Sequence, residues 1–199
     1  MEVLIAASIS GLLIAGAFYV FNVYDTSGDV SAYRAELEAE IRNDLAWIAK
    51  DVRQAKSSDI SDDSSPGGND PTSFHVKFRP AAGWDTVSSQ LQLASYYIEY
   101  SADPVAKTFT RKKINVADSA VLATWNFNHI ELDSAKPIFY TRDSGGNLVA
   151  LSGNAGALRT SRKLIIKLTG QREVVLKGQQ GAVVNLSCPF TQEVKIRNE

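Results

Sequence analysis

Residues 3–24 contain no Asp, Glu, Lys, Arg, His or Pro, and Ser8, Ser10 and Asn22 are the clearly polar side chains among them. At 1.5 Å per helical residue such a run covers about 33 Å, enough to cross the roughly 30 Å hydrocarbon layer of a bilayer. The pattern then changes without stopping. Apolar residues recur at Val30, Tyr33, Leu37, Ile41, Leu45, Ile48 and Val52, steps of three or four that line one side of a helix. Arg34, Glu36, Glu38, Glu40, Arg42, Asn43, Lys50 and Arg53 occupy the other side. The two halves meet at Thr26, Ser27 and Gly28, poor residues for a helix interior, which predicts a bend or a loosened turn there. One helix of about fifty residues is the simplest reading of this periodicity. A membrane helix joined by a short loop to a separate core helix is the alternative.

After Ala55 the chain turns to Ser57, Ser58, Asp59, Ser61, Asp62, Asp63, Ser64, Ser65, Pro66, Gly67, Gly68, Asn69, Asp70 and Pro71, which predicts a solvated linker over 57–72. Its carboxylates do not follow the spacing of a calcium loop. Beyond it the period becomes two: Phe74, Val76 and Phe78 alternate with His75 and Lys77, and Leu91 with Leu93 and Tyr96, Ile98 and Tyr100 repeat the alternation. Further strands are predicted at 109–114, 125–132, 138–140, 148–151, 164–168, 174–176, 183–188 and 194–196. Turn chemistry stands at Asp143-Ser144-Gly145-Gly146-Asn147 and at Thr169-Gly170-Gln171-Arg172. A sheet with one apolar face needs cover, and Leu37, Ile41, Leu45, Ile48 and Val52 supply it. The expected class is α+β, with a long N-terminal helix packed on an antiparallel β-sheet body. Its organisation is a membrane half at 1–24, an amphipathic half at 25–56, the linker, and a β-rich body at 73–199.

Composition narrows the function. Across 199 residues, 21 Lys and Arg balance 22 Asp and Glu, so the net charge gives no argument for nucleic acid as a partner. The single Cys188 excludes an internal disulfide and reads as a small apolar strand residue. His75 and His129 lie in strand patterns, outside any metal-binding or nucleophilic spacing. Arg111, Lys112, Lys113, Arg159, Arg162 and Lys163 could touch phosphates, with Trp84 or Trp125 stacking on bases, but neighbouring acids favour a solvated strand face. No catalytic set, cofactor motif or metal site is legible, so an enzyme is not expected. The apolar start opens on Glu2 rather than a basic region and outlasts a signal peptide's core, which favours a retained anchor. Asp25 and Asp29 precede the first cation, Arg34, which fits an outward-facing end.

The run Met1-Glu2-Val3-Leu4-Ile5-Ala6 resembles the interior of the N-terminal motif of type IV pilins and type II secretion pseudopilins. Asp51-Val52-Arg53-Gln54-Ala55 and the closing Val194-Lys195-Ile196-Arg197-Asn198 are similar to the minor subunits, the W-type pilins and J-type pseudopilins. The resemblance implies a structural subunit of a pilus or pseudopilus, in the bacterial inner membrane with an extracytoplasmic body until it joins the filament. It implies that Glu2 pairs with the N-terminal amine of a neighbouring subunit, and that Val3, Leu4, Ile5, Gly11 and Gly16 pack against other helices. Implied partners are other minor and major pilins or pseudopilins, the inner-membrane assembly platform and a prepilin peptidase. The family's basic leader and Gly do not precede Glu2, so Met1 is expected to be an internal Met with the cleavage site upstream. A membrane span without a Pro, and a chain without a disulfide, favour a minor subunit. Two alternatives stay open: Glu2 at the bilayer interface favouring its own helix's positive end, and a single-pass anchored module that binds a ligand or DNA.

Overall fold

The computed structural model describes residues 2–56, 60, 74–86, 90–176 and 182–196. The expected 57–72 linker lies outside the described residues apart from Ile60, as do Arg197 and Asn198.

Helix α1 (Glu2–Arg53) is continuous over 52 residues, so a loop between a membrane helix and a separate core helix is absent, and the helix runs on through Thr26, Ser27 and Gly28. The hydroxyls expected to weaken this stretch bond back into the helix. Thr26 Oγ1 donates to the Asn22 carbonyl at 2.7 Å, and Ser31 Oγ to that of Ser27 at 2.8 Å. Such back-bonding satisfies the hydroxyl inside the helix, with a slight destabilisation and a tendency to bend it.

The body adds β1 (His75–Phe78), β2 (Ala81–Asp85), β3 (Gln90–Leu93), β4 (Tyr96–Asp103), β5 (Thr108–Asn115), β6 (Val121–Phe127), β7 (Phe139–Arg142), β8 (Leu148–Ala150), the short helix α2 (Ala155–Ser161), β9 (Lys163–Val175) and β10 (Val183–Lys195). All pairings between them are antiparallel. They form two four-stranded sheets, β1-β4-β5-β6 and β10-β9-β7-β8, and a β2-β3 ribbon. The class is α+β as expected, but α1 packs over two sheets rather than one. Its side chains Leu37, Ile41, Ile48 and Val52 are fully buried, and Leu45 nearly so, in one core with Tyr100, Phe109, Phe139, Leu164, Ile166 and Val194.

Three local expectations are corrected. Thr169-Gly170-Gln171-Arg172 is not a turn, because β9 runs straight through it and pairs with β10 over its whole length. Gly170 is there for proximity: a Cβ at that position would stand 2.7 Å from Ile41 Cγ1 and 3.2 Å from Leu37 Cδ1. The segments 183–188 and 194–196 are likewise one strand, β10, which buries Cys188. The strand expected over 125–132 stops at Phe127, and His129 takes a left-handed φ of 55° in the connection that follows. The Asp143–Asn147 turn is present, with Gly146 N–H donating to the Asp143 carbonyl and Asn147 N–H to Asp143 Oδ1.

Candidate functional site

The chemistry of this chain is concentrated on α1, whose two halves meet different surroundings. From Val3 to Asp25 every side chain is exposed. Val3 is 83% exposed, Leu12 74% and Phe21 77%. An apolar surface of this extent marks contact with lipid or protein. The helix is long and apolar enough to cross a membrane, and none of its most hydrophobic window is buried within the chain. A Cβ on Gly11 or Gly16 would meet nothing within 4 Å, so among the described residues no contact requires glycine at either place. Glu2 opens the helix, where the backbone's positive end favours an acid.

The second half is seated by apolar packing and by one buried polar cluster. All five residues expected to pack on the body, Leu37, Ile41, Leu45, Ile48 and Val52, do so. On the turn that also carries Ile48 and Val52, Asp51 Oδ2 accepts from Tyr100 OH at 2.7 Å and from Arg111 Nε at 2.7 Å. The Asp51 and Arg111 side chains are each only 9% exposed. Burial and the adjoining Asp51 carboxylate push the Tyr100 hydroxyl far above its ordinary range, so it remains a donor. Burial, the largest single influence, works against the Arg111 charge, but the hydrogen bond it donates to Asp51, the attraction of that carboxylate and the influence of Tyr100 together outweigh it and raise its pKa. The guanidinium carbon stands 4.4 Å from the Trp125 ring centroid and 5.2 Å from that of Trp47, whose rings meet edge to face at 5.7 Å. Helix α1 and strands β4, β5 and β6 are thereby tied at a single point.

Along the same flank of α1, Asp44 is half-buried, and desolvation followed by repulsion from Glu40 pushes its carboxyl up to about 6. Glu40 lies 3.0 Å from His129 Nδ1. Nearer the apolar half, Arg172 reaches Glu36 at 2.8 Å and covers the Tyr33 ring at 5.4 Å.

The cations read as phosphate candidates are not gathered on one face. Arg111 points to α1, whereas Lys112, on the opposite face of β5, lies 4.0 Å from Glu99. Lys113 covers the Tyr96 ring at 3.9 Å, and Lys163 pairs with Glu193 at 2.7 Å. Arg159 is in α2, and Arg162 caps it in a left-handed conformation. Trp84 is exposed on the β2-β3 ribbon, while Trp125 stacks on Arg111. His75 Nε2 lies 3.7 Å from Glu99, and His75 is the main influence holding the Glu99 carboxyl below its ordinary range. Among the described residues no three His, Cys, Asp or Glu side chains converge as a metal site would require.

The Asp51–Arg111–Tyr100 cluster escaped the sequence reading because its members lie 49 and 60 residues apart and carry no spacing signature. The available signal was a charged residue, Asp51, beside Val52 in the apolar stripe of an amphipathic helix. The chain matches no protein-family model and no curated protein.

Proposed function

We propose that this chain is a minor pilin or pseudopilin, a structural subunit that primes or joins assembly of a type IV pilus or a type II secretion pseudopilus. The observation that carries this reading is a single helix of 52 residues whose first half is apolar and wholly exposed while its second half is buried in a β body. A soluble domain has no use for such a half, whereas a subunit that is stored in lipid and then packed against other helices needs both surfaces on one rod. Before assembly the apolar half resides in the inner membrane with the body outside it. In the filament it exchanges lipid for neighbouring helices. Lipid is as apolar as those neighbours, so the exchange gains little from hydrophobicity and depends on close packing, for which Gly11 and Gly16 provide low points on the helix. Glu2 then sets the register. An unpaired carboxylate in an apolar bundle costs a few kcal/mol, a penalty relieved when the neighbouring subunit's N-terminal amine lies opposite.

The test is incorporation. Glu2→Gln and Glu2→Ala should leave the membrane level of the protein unchanged and deplete it from sheared filaments by at least about tenfold, the ratio set by roughly 1.4 kcal/mol of lost pairing. Normal incorporation of both variants would leave Glu2 with no pairing role. Recovery of the wild-type protein only as isolated membrane monomers would instead favour an anchored binding module.

A further inference from the structure

Beyond Ile165 and Pro189, which also lie on it, the outer face of the β9-β10 pair is polar for two rungs before the strands end. Gln171 stands opposite Ser187 and Glu173 opposite Asn185, all exposed, and then Val175 stands opposite Val183. These two valines are 63% and 53% exposed, and they form one apolar cross-strand pair at the last rung of the two strands, before residues 177–181, which lie outside the described residues. Of the inward residues at this end, Val174 belongs to the core and the half-buried Val184 packs against it, so the strands pack inward without the outward pair.

Position explains the pair. Gly170 lies against Leu37 and Ile41, while Arg172, two residues on, bonds Glu36 and covers Tyr33. Two strand residues advance about 6.6 Å, and four helix residues about 6 Å, so β9 descends along α1 toward its N-terminus nearly in step with it. Three further residues carry Val175 about 10 Å lower, level with the helical turn around Gly28. The burial of α1 agrees. Reading from its N-terminus, the first side chains to lose exposure are Thr26, Asp29 and Val30, and Val30 packs against the core. Tyr24, the last residue of the uncharged run, is about 6 Å below Gly28 along the helix. The headgroup layer on each side of a bilayer is about 5–8 Å thick.

We propose that the Val175–Val183 pair seats in the phospholipid headgroup layer of the bilayer that α1 crosses, giving the unassembled subunit a second membrane contact. The inference rests on the reading of α1 as a membrane span. Among the described residues the exposed charged side chains nearest the contact, Asp25 and Glu173, are acids, which favours an apolar contact with zwitterionic lipid over a basic patch for anionic lipid. It holds the body upright on its stalk, because tilting away would expose the valines and tilting toward the bilayer would bury Glu173. A neighbouring copy of the chain is the rival occupant.

The experiment uses the full chain in phosphatidylcholine vesicles, in a Cys188→Ala background, with an environment-sensitive fluorophore on one introduced cysteine at a time. The three sites are Val175→Cys, Val121→Cys and Leu13→Cys, all exposed in the native chain. Val121 is an equally apolar site that opens β6 at the far end of the body, beyond the contact of Trp125 with Trp47. The expected result is severalfold stronger quenching at Val175 than at Val121 by headgroup spin-labelled lipid, protection of Val175 from aqueous iodide, and quenching of Leu13 by acyl-chain spin label. If Leu13 reports lipid while Val175 behaves like Val121, the hairpin contact is refuted and the span stands. If Val175 is shielded from iodide yet untouched by the lipid quencher, a second copy covers it and the proposal also fails. If Leu13 reports water, the span reading itself falls.

Discussion

Arg111→Met removes the cation that pairs with Asp51 while filling most of the space of its stem. The Asp51 carboxylate then keeps one short hydrogen bond, from Tyr100, in a site where its side chain is 9% exposed. Breaking a buried pair from one side costs about 3–5 kcal/mol, because the remaining charge has lost water and gained nothing. The surviving Tyr100 bond and the volume of Met put this site at the lower end, about 3 kcal/mol. At about 2–4 °C per kcal/mol for a chain of this size, the midpoint should fall by about 6–12 °C. The informative comparison is the triple variant Asp51→Leu, Tyr100→Phe, Arg111→Met, which removes both charges and the hydroxyl together. Replacing a whole buried polar set by apolar groups is often neutral, so this variant should unfold within about 1–2 kcal/mol of the native chain. Urea unfolding of the full chain in detergent micelles, followed by tryptophan fluorescence, reads both, since Trp47 and Trp125 flank the guanidinium. A single variant that costs less than about 1 kcal/mol, or a triple variant as damaged as the single, would refute the account of this cluster as a buried charge held by its partners.

Gly170→Ala should destabilise the chain by about 1–3 kcal/mol, because the new methyl would meet Ile41 Cγ1 at 2.7 Å on a helix that the surrounding core holds in place. Adding Ile41→Val to that variant should recover part of the loss in the same urea titration. Asp44 gives a pH signature. Its carboxyl is pushed up from 3.8 to about 6, so the folded state binds the extra proton between those values and stability declines as pH rises through them. The full shift corresponds to about 3 kcal/mol, which partial exposure reduces to about 1–2 kcal/mol. Asp44→Asn should therefore stabilise by about that amount at pH 7.5 and change little at pH 3.5, whereas an equal gain at both pH values would contradict the assignment.

What could be read from the sequence followed from short-range periodicity. The stripe from Val30 to Val52 repeats at the helical interval, and each of the five residues assigned to the body contact is buried there. The Asp143–Asn147 turn was equally plain, because its chemistry is local to five residues. Gly170 misled for a physical reason: glycine serves a turn and a close helix approach equally well, and only the position of Ile41 separates the two. His129 looked like a strand residue because it sits among apolar neighbours, yet it adopts a positive φ with its ring beside Glu40 on another element. In the sequence Arg111 reads as part of a solvated strand face, with phosphate contact the lesser alternative, yet it is buried beside Trp125 and Asp51. A guanidinium beside an indole is a recognition pair for bases, and here the two recognise each other and Asp51.

The unbroken passage of α1 through Thr26, Ser27 and Gly28 makes the molecule a keyed shaft. Each helical residue turns the chain by about 100° and lifts it by 1.5 Å, so the azimuth of the body relative to the apolar face is counted out in residues between Tyr24 and Val30. Inserting one residue there would swing the body through more than a quarter turn, while inserting seven would return it to within about 20° and raise it by about 10 Å. The length of that stretch is thus a phase as well as a distance between the apolar end of the rod and the body.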